Sequence, residues 1–175
     1  MSLNEVRQEI NKIDDGMKKL FDNRMNCSNQ VAAVKMSEGD KVFKPLREKE
    51  IVERFSNDRE YIAFIKKVMQ ISRKRQYGLF LDAFSEASCW ESINEDKCHI
   101  SKMGELELKL KADKTSTKGL NVNDILSVIS DSALEIKKLT VSENGMIDVV
   151  INVHDDDRAI REALVLAYML SEETI

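Results

Sequence analysis

The sequence predicts a chain of two kinds, an all-helical N-terminal half and an α+β C-terminal half ordered strand, helix, strand, strand, helix. Three observations carry this prediction. From Leu3 to about Met36 the apolar residues Leu3, Val6, Ile10, Ile13, Met17, Leu20, Phe21, Val31 and Val34 recur at three-four spacing, which marks one face of a helix. After about Ser92 the period drops to two, in "ELELKLKA" and "MIDVVINV", the alternation of half-buried strands. Proline occurs once in 175 residues and 33% of the chain is charged, a composition that suits helices in water.

Each element has its own signals. The first helix spans about 50 Å at 1.5 Å per residue. "SEGD" ends it, with Gly39 as the C-terminal cap. Pro45 fits the first position of a second, short helix reaching about Phe55, with Glu48 and Glu50 in its early turns. Asn57, with Glu60 three residues on, reads as a capping box for a third helix running toward Trp90. An apolar face 50 Å long needs a partner of similar length, and a second copy of the chain supplies one; an intertwined helical dimer is expected. Beyond it, Leu106, Leu108 and Leu110 line one strand, and Ile147, Val149, Ile151 and Val153 another. "NVNDILSVI" reads as a helix, "EIKKLTV" as a strand, "ENG" as a hairpin turn and "DDDRAIREALVLAYML" as a helix with acids at its start. This order is that of a ferredoxin-like α+β sandwich. The expected domains are residues 1–92 and 93–175, divided near "INEDKCHI".

Composition excludes several functions. A net charge of -4 gives nucleic acid no electrostatic footprint. No apolar run is long enough to span a bilayer, and "MSLNEVRQEI" is not a signal peptide. Cys27, Cys89 and Cys98 are odd in number and far apart, which points to a reducing cytoplasm rather than a disulfide framework. With only His99 and His154 and no CxxC, a metal site has little to build on, and no metal or cofactor is expected.

The helical half is rich in cations and poor in nucleophiles. It contains no His, so a Ser/His or Cys/His pair has no candidates there. Arg24 and Lys35 are eleven residues apart, about 20° from alignment on one helix face, with no acidic residue between them. Arg7 and Arg47 add two more cations, and Ser72 and Gln76 in "SRKRQ" share a face four residues apart. Such a set suits a small dianion, because Arg forks grip carboxylates and Lys acts as a point charge.

In order and spacing, "VRQEINKIDDGMKKLFDNRM", "VAAVK", "PLREKEI" and "SRKRQ" resemble the all-helical class of chorismate mutase. The resemblance covers roughly the first half of the chain. It implies an intertwined homodimer of three-helix chains that converts chorismate to prephenate by a Claisen rearrangement, without a cofactor, in aromatic amino-acid biosynthesis. Residue by residue, it implies that Arg24 binds a substrate carboxylate and that Arg7 binds one from the neighbouring chain. Lys35 and Gln76 hydrogen-bond the ether oxygen, Arg47 stands in the pocket wall with Ser72 beside it, and Glu48 accepts the ring hydroxyl. Lys44 departs from the pattern, since the family often has an acid there. The same fold implies two alternatives: an isochorismate-pyruvate lyase, or a non-catalytic helical dimer that binds an effector.

The C-terminal half, through "KGLNVNDILSVI", "EIKKLTV" and "NGMIDVVINVHDDDRAI", resembles an ACT-type regulatory domain. That likeness implies an amino-acid effector bound near the turn at Gly119 and Leu120. The departure is a missing fourth strand after the last helix.

Overall fold

The computed structural model describes residues 2–83, 98–100, 105–111, 122–132, 134–153 and 157–170. The chain forms two compact units, Met1–Asp40 and Lys41–Ile175.

The first unit is one helix, α1 (Leu3–Glu38), of 36 residues. Its start is a capping box: the Ser2 side chain accepts from the Glu5 N–H at 3.2 Å, and the Ser2 N–H donates to the Glu5 carboxylate at 2.6 Å. Its end is Gly39, in the left-handed region at φ 68°, whose N–H bonds the Lys35 carbonyl. The expected extent and cap are both observed. Leu3, Val6, Ile10, Ile13, Met17, Leu20, Val31 and Val34 remain exposed along it.

The second unit begins with α2 (Pro45–Glu53) and α3 (Arg59–Ala83). Pro45 opens α2 as expected. The cap of α3 falls one residue later than the sequence suggests, because the Tyr61 N–H donates to the Asp58 carboxylate at 2.9 Å and Asn57 is not the cap. Asp58 is the better placed, since the N–H it satisfies lies three residues on. Inward positions of α3 recur at Ile65, Val68, Met69, Ser72, Arg73, Gln76 and Phe80, the three-four stripe of a helix with one covered face.

The α+β elements follow: β1 (Cys98–Ile100), β2 (Glu105–Lys111), α4 (Val122–Asp131), β3 (Glu135–Val141), β4 (Met146–Asn152) and α5 (Asp157–Leu170). The sheet order is β1-β2-β4-β3, and each neighbouring pair is antiparallel. Thus β2 and β3 run parallel, joined through α4, with β4 inserted between them. The expected strand-helix-strand-strand-helix order holds. One strand was not foreseen: β1 takes the place beside β2 that a strand after the last helix would otherwise fill. Alternation in β4 is borne out, with Ile147, Val149 and Ile151 fully buried and opposite Leu110, Leu108 and Leu106 in register. The β3–β4 turn matches its signal: Gly145 stands at φ 86°, where a side chain is disfavoured, and Asn144 Oδ1 accepts from the Met146 N–H. Helix α5 packs on α4 and β2, and α3 packs on α4 and α5. Ile125, Val128 and Ile129 of α4 join Ala163, Leu164 and Val165 of α5 in the core. The boundary expected near residue 92 lies outside the described residues.

Candidate active site

On α1, Arg24 and Lys35 are both partly buried, three turns apart on one face. Arg7 is exposed, seventeen residues before Arg24 and so about 25 Å from it along the axis.

In the second unit, Lys44 is the N-cap of α2, with no capping bond from its side chain. Its carbonyl accepts from the Glu48 N–H at 3.1 Å. Consecutive residues on a helix diverge by about 100°, and Arg47 and Glu48 part accordingly. Arg47 points to solvent and pairs with Glu50 at 2.9 Å. Glu48 faces α3. On α3, Ser72 and Gln76 are buried side by side, and Gln76 Nε2 lies 3.4 Å from Ser72 Oγ. Gly119 and Leu120, the expected effector turn, lie outside the described residues.

Arg73, which no sequence motif singles out, is a hub in the structure. Its Nη1 donates to both Glu48 oxygens, at 2.5 and 2.6 Å. Its Nε donates to Asp131 Oδ2 at 2.6 Å and its Nη2 to Ser127 Oγ at 2.9 Å. The guanidinium also lies 5.2 Å from the Phe43 ring centre, within cation–π range. Burial by itself would lower the Arg73 pKa; the hydrogen bonds and charges of Glu48 and Asp131 outweigh it and hold the pKa above its ordinary value. Removing one partner from such a buried pair costs about 3–5 kcal/mol. The signal for Arg73 was its place on the apolar stripe of α3: a cation there must bring its own anions inside.

Tyr77, one turn further along α3, has a buried hydroxyl that finds no hydrogen-bond partner among the described residues. Burial raises its pKa well above the ordinary phenol value, and the nearby Asp131 carboxylate adds to the rise. Tyr77 and Asp131 contribute to the wall of a cavity of about 280 Å³ with Lys74, Val128, Arg158 and Val165. Among the described residues no cluster of side chains could hold a metal ion, and no helix is long and apolar enough to cross a membrane.

Chemically, α1 carries cations at Arg7, Arg24 and Lys35, and the second unit by itself brings together the Gln76 amide, the Ser72 hydroxyl and the Glu48–Arg73 pair on α2 and α3. No curated protein and no solved structure matches the chain. The family model described as chorismate mutase type II matches residues 6–77. That span contains Arg7, Arg24, Lys35, Arg47, Glu48, Ser72 and Gln76 and stops short of Ser127 and Asp131; the match supports a chorismate mutase-type activity for this helical part of the chain.

Proposed function

We propose that the protein is an isomerase that rearranges chorismate to prephenate, acting in the cytoplasm in aromatic amino-acid biosynthesis. The observation that carries this reading is the family match over residues 6–77, with every residue the resemblance singles out lying inside it. The chemistry is coherent with the residues. Chorismate reacts from a compact shape that stacks its enolpyruvyl group over its ring, and two carboxylates gripped by Arg24 and by Arg7 of a second copy would hold that shape. Breaking the C–O bond builds negative charge on the ether oxygen. The Lys35 ammonium and the Gln76 amide stabilise that charge more in the transition state than in the ground state. Ser72 lies beside Gln76 and Glu48 accepts the ring hydroxyl, whereas Arg47, turned to solvent and paired with Glu50, is not in the pocket wall of a single chain. No cofactor or metal is required.

The chain would act as a homodimer. The exposed apolar row along α1 supports this, since Ile10, Ile13 and Leu20 are about half exposed or more, at 49%, 54% and 70%, and a row of that length is unusual on a monomer. For the α+β elements we propose an ACT-like regulatory role, supported by the β2-α4-β3-β4-α5 order, with an amino-acid effector near Gly119 and Leu120. Titration calorimetry with individual amino acids tests that role, and absence of heat for all of them would leave these elements structural.

The direct test of the activity is purified protein with chorismate, following loss of its ultraviolet absorbance and formation of prephenate. Release of pyruvate from isochorismate, without prephenate from chorismate, would favour a lyase on the same fold. A folded protein that turns over neither would favour a binding module.

A further inference from the structure

Of the two carboxylates on Arg73, Glu48 is the one open to solvent. Its side chain is 26% exposed, whereas Arg73 is 7% exposed and the Asp131 side chain not at all. The cluster is therefore closed at Asp131 and open at Glu48. A guanidinium is planar and rigid, so the positions of Nε, Nη1 and Nη2 are not independent. Asp131 on Nε and Ser127 on Nη2 fix where Nη1 stands, and Nη1 fixes both oxygens of Glu48. Two carboxylates share one cation, leaving a net negative charge whose accessible part is the Glu48 carboxylate. That end is an acceptor waiting for a donor.

We propose that Arg73, Asp131 and Ser127 are positioning residues for Glu48, so that the α4 helix sets the geometry of a carboxylate that receives the substrate's ring hydroxyl. This rests on the role given to Glu48 under the proposed function. It gives Asp131 and Ser127, beyond the matched helical span, a share in substrate geometry that acts through Arg73 and Glu48.

A plain structural staple between α2, α3 and α4 would use the same bonds, so the test must separate the two. Asp131→Asn and Ser127→Ala are each made in the wild-type chain and in Glu48→Gln. With Glu48 present, each should lower kcat/KM for chorismate by about tenfold, the size of effect seen when an outer partner of a site group is removed. With Glu48→Gln, the same changes should alter kcat/KM by less than about twofold, since positioning has nothing left to position. Arg73→Lys keeps the charge but loses the fork, and should resemble Asp131→Asn. If Asp131→Asn fails to fold, Ser127→Ala carries the test, because it deletes a single hydrogen bond and no charge. Equal losses in both backgrounds, or full activity in every single variant, would overturn the proposal. A wild-type chain inactive on chorismate would instead bring down the proposed function, and this role with it.

Discussion

Lys35 and Tyr77 show how differently two partly buried polar residues behave. Lys35→Ala removes the ammonium proposed to face the ether oxygen, and loss of one such donor typically costs about 10²–10³ in rate. As a cation in the last turn of α1 it also favours the helix, by about 0.3–1 kcal/mol. Steady-state kinetics should therefore fall steeply while the melting temperature moves little; near-native turnover in a variant that melts much lower would reverse that assignment. Tyr77→Phe should do the opposite. Its hydroxyl is buried without a described partner, so deletion should be neutral or stabilising by up to about 1 kcal/mol. The sign with pH follows from its raised pKa. The unfolded phenol ionises from about pH 10 upward, while the folded one keeps its proton. Its contribution is whole below that pH and is lost as pH rises toward the folded pKa. Urea titrations at about pH 9 and about pH 11 should show the Phe variant gaining on wild type, by at most about 1.4 kcal/mol per pH unit. A constant difference would contradict this. At this scale the sequence revealed Ser72 and Gln76 by their spacing but hid Arg73, because its anions come from 25 and 58 residues away, and no local pattern encodes such a meeting.

Among the elements, those with long periodic signals were legible and those without were not. Helix α1 could be read to within two residues of its end because nine apolar positions repeat and Gly39 follows. Strand β4 could be read because Ile147, Val149 and Ile151 alternate with half-exposed neighbours. Strand β1 has three residues, too few to show alternation, and it is a strand only because β2 offers an edge. The α3 cap slipped by one residue because Asn57 and Asp58 are both competent caps, and only the helix register chooses between them. Gly39 gives a clean test. Its φ is 68°, and nothing lies within 4 Å of where a side chain would begin. Gly39→Ala should therefore cost about 1 kcal/mol from backbone conformation alone, and Gly39→Asn less, because Asn tolerates that region better. Thermal unfolding of the three proteins ranks them; an Ala variant as stable as wild type would mean that α1 ends differently in solution.

For the whole molecule, Arg7 and Arg24 cannot reach one small ligand from a single straight helix, being about 25 Å and about 100° apart. If both serve chorismate, each site takes Arg7 from one chain and Lys35 from another. Arg7→Ala and Lys35→Ala, each nearly inactive, should then complement when unfolded and refolded together. Half of randomly paired dimers are mixed, each with one intact site, so activity should approach about a quarter of wild type. Mixed dimers that form but stay inactive would place Arg7 outside the site. The sequence could suggest this shared arrangement only through family likeness, since one chain's pattern does not record which copy completes it. The outer strand β3 carries a different consequence. All seven of its residues are exposed, including Ile136, Leu139 and Val141, its ladder is interrupted between Ile136 and Lys138, and Lys137 and Lys138 sit at that break. An apolar strand at the edge of the described sheet is a template for end-to-end stacking, and a kink bearing the Lys138 ammonium, beside Lys137 held to Glu105 at 2.7 Å, keeps identical rims from docking. Replacing both lysines with threonine should leave each molecule folded yet shorten the shelf life of a concentrated solution, seen as rising light scattering and thioflavin-positive fibrils that wild type does not form.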